Sequence, residues 1–197
     1  MLEEKTQLPV LGVIPYLKVD IEDEDSLSTR LDAGKTVHPL DAAILRLPHI
    51  SNFTDFMPLE QHPLLGMRYV QNTRQLGTPD LIILPGTKNT VDDLLWLRQS
   101  GLEAALLKLA ANGTPVLGVC GGYQMLGQYY KTWDGKQCDF TGALDLYTVG
   151  SEQRMIGNYM FTCDEADCKI VGFENHSGKT YLGSGVKPLG KVLEGYG

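Results

Sequence analysis

The stretch 115-PVLGVCGGYQMLG-127 places one cysteine between glycines, directly after a run that reads as a buried strand and directly before one that reads as a helix. A strand that turns at once into a helix needs a sharp bend, and Gly118, Gly121 and Gly122 allow it without a Cβ clash. Cys120 then stands at the apex. The spacing Gly118-x-Cys120-x-Gly122 is the cysteine form of the nucleophile elbow, a strained turn that projects a reactive atom from the C-terminal edge of a sheet. The helix N-terminus behind it favours the negative charge that a nucleophilic thiolate carries. A free cysteine is also often just a small buried hydrophobe, and the choice between the two readings rests on the rest of the chain.

Working outward, 9-PVLGVIPYL-17, 41-DAAILRLP-48, 64-LLGMRYV-70, 80-DLIILPG-86 and 115-PVLGVCGG-122 are short apolar runs bounded by Pro, Gly or Asp. They read as strands buried on both faces, the pattern of a parallel sheet. Between the last two lies 88-KNTVDDLLWLRQSGLEAALLKLAANG-113. Its Leu94, Leu95, Leu97, Leu102, Ala105, Leu106 and Leu109 follow helical spacing, with a break expected at Gly101 and a stop at Gly113. Strands alternating with helices predict an α/β fold with crossover connections.

After about residue 130 the texture changes. The segments 141-TGALDLYTVG-150, 154-RMIGNYMFTC-163 and 169-KIVGFENHSGKTYL-182 alternate more and carry more Thr, Tyr and Gly, as an antiparallel extension does. The acidic run 20-DIEDEDS-26 reads as a solvated loop rather than a divalent-cation site.

Composition narrows the function. The 197 residues carry a net charge of −7, and Lys and Arg are scattered rather than gathered into a stripe, so nucleic acid is not expected as a partner. No run approaches the roughly 18 apolar residues of a membrane span, and the start, MLEEKTQ, has no apolar signal region. The unevenly spaced Cys120, Cys138, Cys163 and Cys168 do not form a secreted disulfide pattern. A cytoplasmic protein is expected. Cys163 and Cys168 with His176 nearby lack an evident fourth zinc ligand, so no metal is expected and two reduced thiols in a surface turn are.

An activated cysteine needs an oxyanion hole, a base and a grip on substrate. The strand 80-DLIILPG-86 is expected beside the elbow strand, so that the turn 85-PGTKNT-90 presents backbone N–H groups near Cys120, with Gly86 and Gly121 as candidate donors. Read locally, Pro85-Gly86 is also an ordinary strand-ending turn.

Together, ILPGTKNTVDDLLWLR and VLGVCGGYQMLG resemble class I glutamine amidotransferases, in the branch that contains cobyric acid synthase. The resemblance implies a three-layer, flavodoxin-like α/β domain with a mainly parallel central sheet, with Cys120 as nucleophile toward the glutamine side-chain amide, Gly86 and Gly121 around the oxyanion, and Gln124 lining the glutamine pocket. Residues 8 to about 127, including GVIPYLKVDIEDEDSLS and RLPHISNFTDF, resemble cobyric acid synthase from where its ATP-binding domain ends. From about 128 onward, GQYYKTWDGKQCDFTGALDLYTVGSEQRMIGNY and IVGFENHSGKTYLG are more similar to the glutaminase subunit of lipid II isoglutaminyl synthase, which works with a Mur-ligase-like subunit in peptidoglycan amidation. That second resemblance implies a glutamine-recognition role for Arg154.

Both relatives carry a catalytic histidine in a YLHG-like motif near the C-terminus, whereas this sequence ends at 194-EGYG-197. The expectation is therefore residues 1–39 as a remnant of an ATP-binding domain or linker, and 40–197 as an amidotransferase-like domain truncated at its C-terminus. His176 is the one histidine after the elbow and is held as a possible base; His49 is expected to fix a strand-end loop. The expected partners are L-glutamine and an ATP-dependent amide ligase carrying ATP and Mg, with no cofactor in this domain. The resemblance leads first to a glutaminase for cobalamin biosynthesis, then to lipid II amidation; a catalytically inactive binding module is the reading of another class.

Overall fold

The computed structural model describes residues 2–13, 15, 38–163 and 165–196. Its first sheet has strand order β3-β1-β4-β6, all parallel: β1 (Leu40–Leu45), β3 (Leu65–Val70), β4 (Leu81–Leu84) and β6 (Val116–Gly118). Four of the five expected strands are there, and β4 lies beside the elbow strand, with Leu84 opposite Gly118. Helices α2 (Met57–Glu60) and α3 (Thr73–Leu76) lie in the crossovers before and after β3, and α4 (Thr90–Gln99) and α5 (Leu102–Ala111) connect β4 to β6. Gly101 separates α4 from α5 with a φ of 75°, a left-handed angle that costs glycine nothing.

The core follows from the central position of β1 and β4. Ala42 to Leu45 and Ile82 to Leu84 are fully buried, as strands covered on both faces must be. Leu94, Leu97, Leu102 and Leu106 cover them from α4 and α5. Each such side chain contributes about 1.5–3 kcal/mol over an exposed one. Leu95, expected on the buried stripe, is instead exposed, and so is Leu117, because β6 is the edge of this sheet.

The expected strand at 9–17 is corrected. Residues 9–13 form no strand and stand in solvent, with Leu11 96% exposed. Pro9 has no N–H for a ladder, and no described strand lies beside these residues to pair with them. They follow the five-residue α1 (Leu2–Thr6). The acidic run at 20–26 and residues 14, 16 and 17 of the expected strand lie outside the described residues.

The antiparallel extension is a second sheet of order β10-β9-β7-β8, with β11 also on β9: β7 (Tyr129–Lys131), β8 (Gln137–Asp139), β9 (Leu146–Cys163), β10 (Cys168–Leu182) and β11 (Gly190–Glu194). Two of the three expected segments fuse into β9, and 141–145 is not strand. Gly150, the last residue of the expected segment 141–150, lies inside β9 where it allows close approach: a Cβ there would come 3.0 Å from the Tyr130 hydroxyl. The stacked rings of Tyr129, Tyr147 and Tyr181 tie β7, β9 and β10 together.

Candidate active site

Cys120 is the residue before α6 (Gly121–Met125), with φ 50° and ψ −113°. A positive φ on a non-glycine residue is costly and marks a backbone held by its surroundings. The glycines around it explain how. Gly122 packs so tightly that a Cβ would overlap the Leu84 carbonyl of β4, and a Cβ on Gly118 would come 2.8 Å from the Tyr123 backbone. The helix therefore starts directly on top of the sheet, and the Cys120 side chain is left exposed with no hydrogen bond to its sulfur among the described residues. Of the two readings of this cysteine, the elbow is the one the backbone adopts. Burial pushes the Tyr123 phenol above its ordinary pKa, so this neighbour stays neutral.

The turn after β4 comes to the thiol as expected. Gly86 and Thr87 form β5 (Gly86–Thr87), paired antiparallel with β2 (Ile50–Ser51). A Cβ placed on Gly86 would lie 3.6 Å from Cys120 Cβ, and one on Gly121 would press on the Thr87 methyl at 2.7 Å. Cys120, Gly86 and Gly121 are thus brought together, and Gly121 opens α6, where N–H groups have no intrahelical acceptor.

Gln124 links the elbow to the second sheet. A Cβ on Gly178 of β10 would lie 2.9 Å from Gln124 Nε2 and 2.9 Å from the Thr148 methyl. The register of β9 against β10 shifts at this point, between His176 and Gly178.

Arg154 and His176 sit on the ribbon made by β9 and β10, and neither hydrogen-bonds the elbow. Arg154 is exposed, and its Nε donates to Asn175 Oδ1 at 2.6 Å. His176 pairs across the strands with Met155, the neighbour of Arg154 in sequence, so the alternation of strand side chains puts Arg154 and His176 on opposite faces. Both ring nitrogens of His176 are engaged: Nδ1 lies 2.9 Å from the Gly178 carbonyl and Nε2 3.1 Å from Glu174 Oε2. Glu174 is buried, and its Oε1 also accepts the Tyr196 N–H at 2.8 Å. His38 and His62 are also engaged, His38 with Pro63 O and His62 by the Leu64 N–H. Cys163 and Cys168 face each other across β9 and β10 as free thiols, the first buried and the second exposed.

Sequence reading missed Asp93. It lies in the first turn of α4, where an acid is ordinarily a solvated partner for the helix dipole, yet it is fully buried. Its carboxylate accepts from Thr87 Oγ1 at 2.5 Å, from the His49 N–H at 3.2 and 3.3 Å, and bonds His49 Nδ1 at 2.7 Å. His49 fixes a strand-end loop, as expected, and Asp93 is what it fixes it to.

Residues 41–197 match the CobB/CobQ-like glutamine amidotransferase domain. Among similar curated proteins, cobyric acid synthase of Yersinia enterocolitica is 43% identical over 97% of this chain and 40% of its own length. That of Ruminiclostridium cellulolyticum is 45% identical over 93% and 36%, and that of Listeria monocytogenes 41% identical over 98% and 39%. The similarity runs past residue 128 into the ribbon, and the chain spans about two fifths of the length of these relatives. The fold is that of a glutamine amidotransferase crystal structure, with a TM-score of 0.62 at 18% identity over 76% of this chain and 78% of the other. PurLQS from Thermotoga maritima gives the same score at 17% identity, over 79% of this chain and 76% of that one. With the elbow, the parallel sheet and a family match over most of its length, the chain belongs to the CobB/CobQ-like glutamine amidotransferase domains, an amidotransferase family whose class uses a cysteine nucleophile.

Proposed function

We propose that this domain hydrolyses L-glutamine at Cys120 and passes the ammonia to an ATP-dependent amidation of the cobyric acid synthase type, in cobalamin biosynthesis in the cytoplasm. The observation that carries the reading is the strained, exposed Cys120 at the start of α6, with Gly86 and Gly121 packed beside it. The names of the curated relatives support the pathway.

In this mechanism the Cys120 thiolate attacks the side-chain amide carbon of glutamine. The C–O π pair moves to oxygen, where the N–H groups of Gly86 and Gly121 stabilise the developing negative charge. The tetrahedral adduct collapses, the C–N bond breaks, and the leaving nitrogen takes a proton from solvent water and departs as ammonia. Water then adds to the thioester carbonyl, its protons pass to the hydroxide and ammonia already formed, and the C–S bond breaks to give glutamate and the free thiolate. Gln124, between the elbow and β10, lines the glutamine pocket, and Arg154 pairs with the glutamine α-carboxylate through its planar guanidinium. ATP and Mg²⁺ would be held by the partner ligase, where they would supply the activation that lets ammonia form the amide.

The test is glutamate release by the protein with its ligase partner, beside Cys120→Ala. The expected loss is at least about 10³-fold, in line with removal of a nucleophile elsewhere. Equal glutamate release by the two proteins would dismiss the reading, and so would a parent protein that releases none, which a pure binding module predicts. Labelling with a glutamine-mimicking diazoketone, mapped by mass spectrometry, is expected to mark Cys120 and leave Cys138, Cys163 and Cys168 free.

A further inference from the structure

Asp93 is fully buried, and a buried carboxylate is expensive unless its oxygens are satisfied. Here they are satisfied by one small region. Thr87, one residue after Gly86, donates to Oδ2. The backbone N–H of His49, just before β2, is shared between both oxygens, and the His49 ring bonds Oδ1. Since β2 and β5 pair with each other, through Ile50 with Thr87 and Ser51 with Gly86, a single carboxylate fastens both strands of this small sheet to α4.

Thr87 carries the consequence to the thiol. Its hydroxyl points to Asp93 while its methyl packs on Gly121, the residue after Cys120. A β-branched side chain has few χ1 wells, so fixing the hydroxyl also fixes the methyl. The Thr87 hydroxyl, which also accepts the Asn89 N–H at 3.0 Å, is thus held on the side of Asp93 while its methyl lies between the Gly86 strand and Gly121.

We propose that Asp93 is the positioning residue of the oxyanion hole, acting through Thr87 to hold the N–H groups of Gly86 and Gly121 at the separation that a tetrahedral intermediate requires. This rests on the reading of those two glycines as the oxyanion donors. Asp93 touches no substrate. Its effect is confined to steps in which charge develops on the carbonyl oxygen.

That confinement supplies the test. Glutamine hydrolysis passes through an oxyanion. Alkylation of Cys120 by iodoacetamide forms the S–C bond, expels iodide and makes none. In the full-length protein, Thr87→Val and Asp93→Asn are expected to lower kcat for glutamine about 10- to 100-fold with KM within about threefold, somewhat less than the 10²–10³-fold lost with a whole donor. The iodoacetamide rate at Cys120 is expected to stay within about twofold. Thr87→Ser keeps the hydroxyl but removes the methyl that packs on Gly121, so it is expected to lower kcat as well, again with KM within about threefold. An unchanged kcat in Thr87→Val would overturn the proposal, as would a parallel fall in both reactions, which marks a general loosening of the elbow, or a Thr87→Ser that keeps the parent kcat. If Asp93→Asn fails to fold, the valine and serine pair decides alone. A parent protein without Cys120-dependent glutaminase activity would overturn the function reading as well, whereas an active parent insensitive to Thr87→Val overturns this inference only.

Discussion

Ile83 in β4 and Val171 in β10 are both β-branched residues in strands, yet the first is fully buried and the second is 71% exposed. The same contrast holds for their surroundings. The parallel sheet is clamped under α4 and α5, and its polar anchors reach across elements, as Asp93 does to Thr87 and His49. The ribbon of β9 and β10 leaves Ile156 and Phe173 in solvent, and its polar contacts stay largely local: Arg154 to Asn175 across the pair, and Glu174 to His176 along β10. A strained nucleophile needs a surround that does not relax. A ribbon that only recognises substrate does not. Under the proposed function, the bond-breaking chemistry falls to the sheet and the recognition of glutamine, through Arg154, to the ribbon.

The largest expected effect breaks the rigid side. Gly122→Ala forces a methyl into the Leu84 carbonyl, and because the obstacle is central-sheet backbone it cannot rotate away. A loss above about 4 kcal/mol, the exceptional end of single substitutions, is expected in denaturant unfolding. Gly172→Ala in β10 meets nothing within 4 Å and is expected to stay within about 0.5 kcal/mol. Equal losses would mean that the two regions do not differ in rigidity as described.

Next is the core itself. Ile83→Ala is expected to cost about 2–5 kcal/mol through lost burial and the cavity left behind. Val171→Ala, by contrast, removes methyls already in water and is expected to cost under about 0.5 kcal/mol. Urea midpoints at unchanged m-values measure both. A costly Val171→Ala would show that a partner covers the ribbon in solution.

These two pairs also mark where the sequence was legible. The strands of the parallel sheet announce themselves because burial on both faces demands unbroken apolar runs, and the elbow does so because only glycine fits at Gly118, Gly121 and Gly122. The run that begins at Pro9 has the same composition, but its described residues 9–13 have no neighbouring strand, so it misleads. Gly150 misleads in the other direction, since a glycine inside a strand and one that ends it look alike until the facing Tyr130 is known. Asp93 was illegible for a related reason. Its partners are Thr87 and His49, and only the pairing of β2 with β5 brings His49 within reach.

A smaller effect probes recognition on the ribbon. Arg154 is exposed and held only by Asn175 among the described hydrogen bonds, so Arg154→Ala leaves no buried group unpaired and should not disturb the fold. If it binds the glutamine α-carboxylate, the substitution is expected to raise KM about tenfold, roughly 1.4 kcal/mol, with kcat within about threefold, the signature of uniform binding lost. A fall in kcat at constant KM would move Arg154 to the chemical step and blur the division between the two regions.

The smallest expected effect is at His176. A base for the Cys120 chemistry must have a ring nitrogen free to reach the sulfur, the leaving nitrogen or a water between them. In His176 both are occupied, one by the Gly178 carbonyl at 2.9 Å and the other by Glu174 at 3.1 Å. Glu174 is in turn fixed by the Tyr196 N–H, so the pair closes on itself and braces the irregular register of β10 beside Gln124. Freeing either nitrogen would break a part-buried hydrogen bond, typically worth about 1 kcal/mol. His176→Ala is therefore expected to lower stability by about 1 kcal/mol and to leave kcat for glutamine within about threefold. General acid–base assistance contributes about 10²–10⁴-fold, so the two roles are separated by at least an order of magnitude in one measurement. A collapse of kcat on that scale, with the unfolding midpoint unchanged, would make His176 the base and move part of the chemistry onto the ribbon.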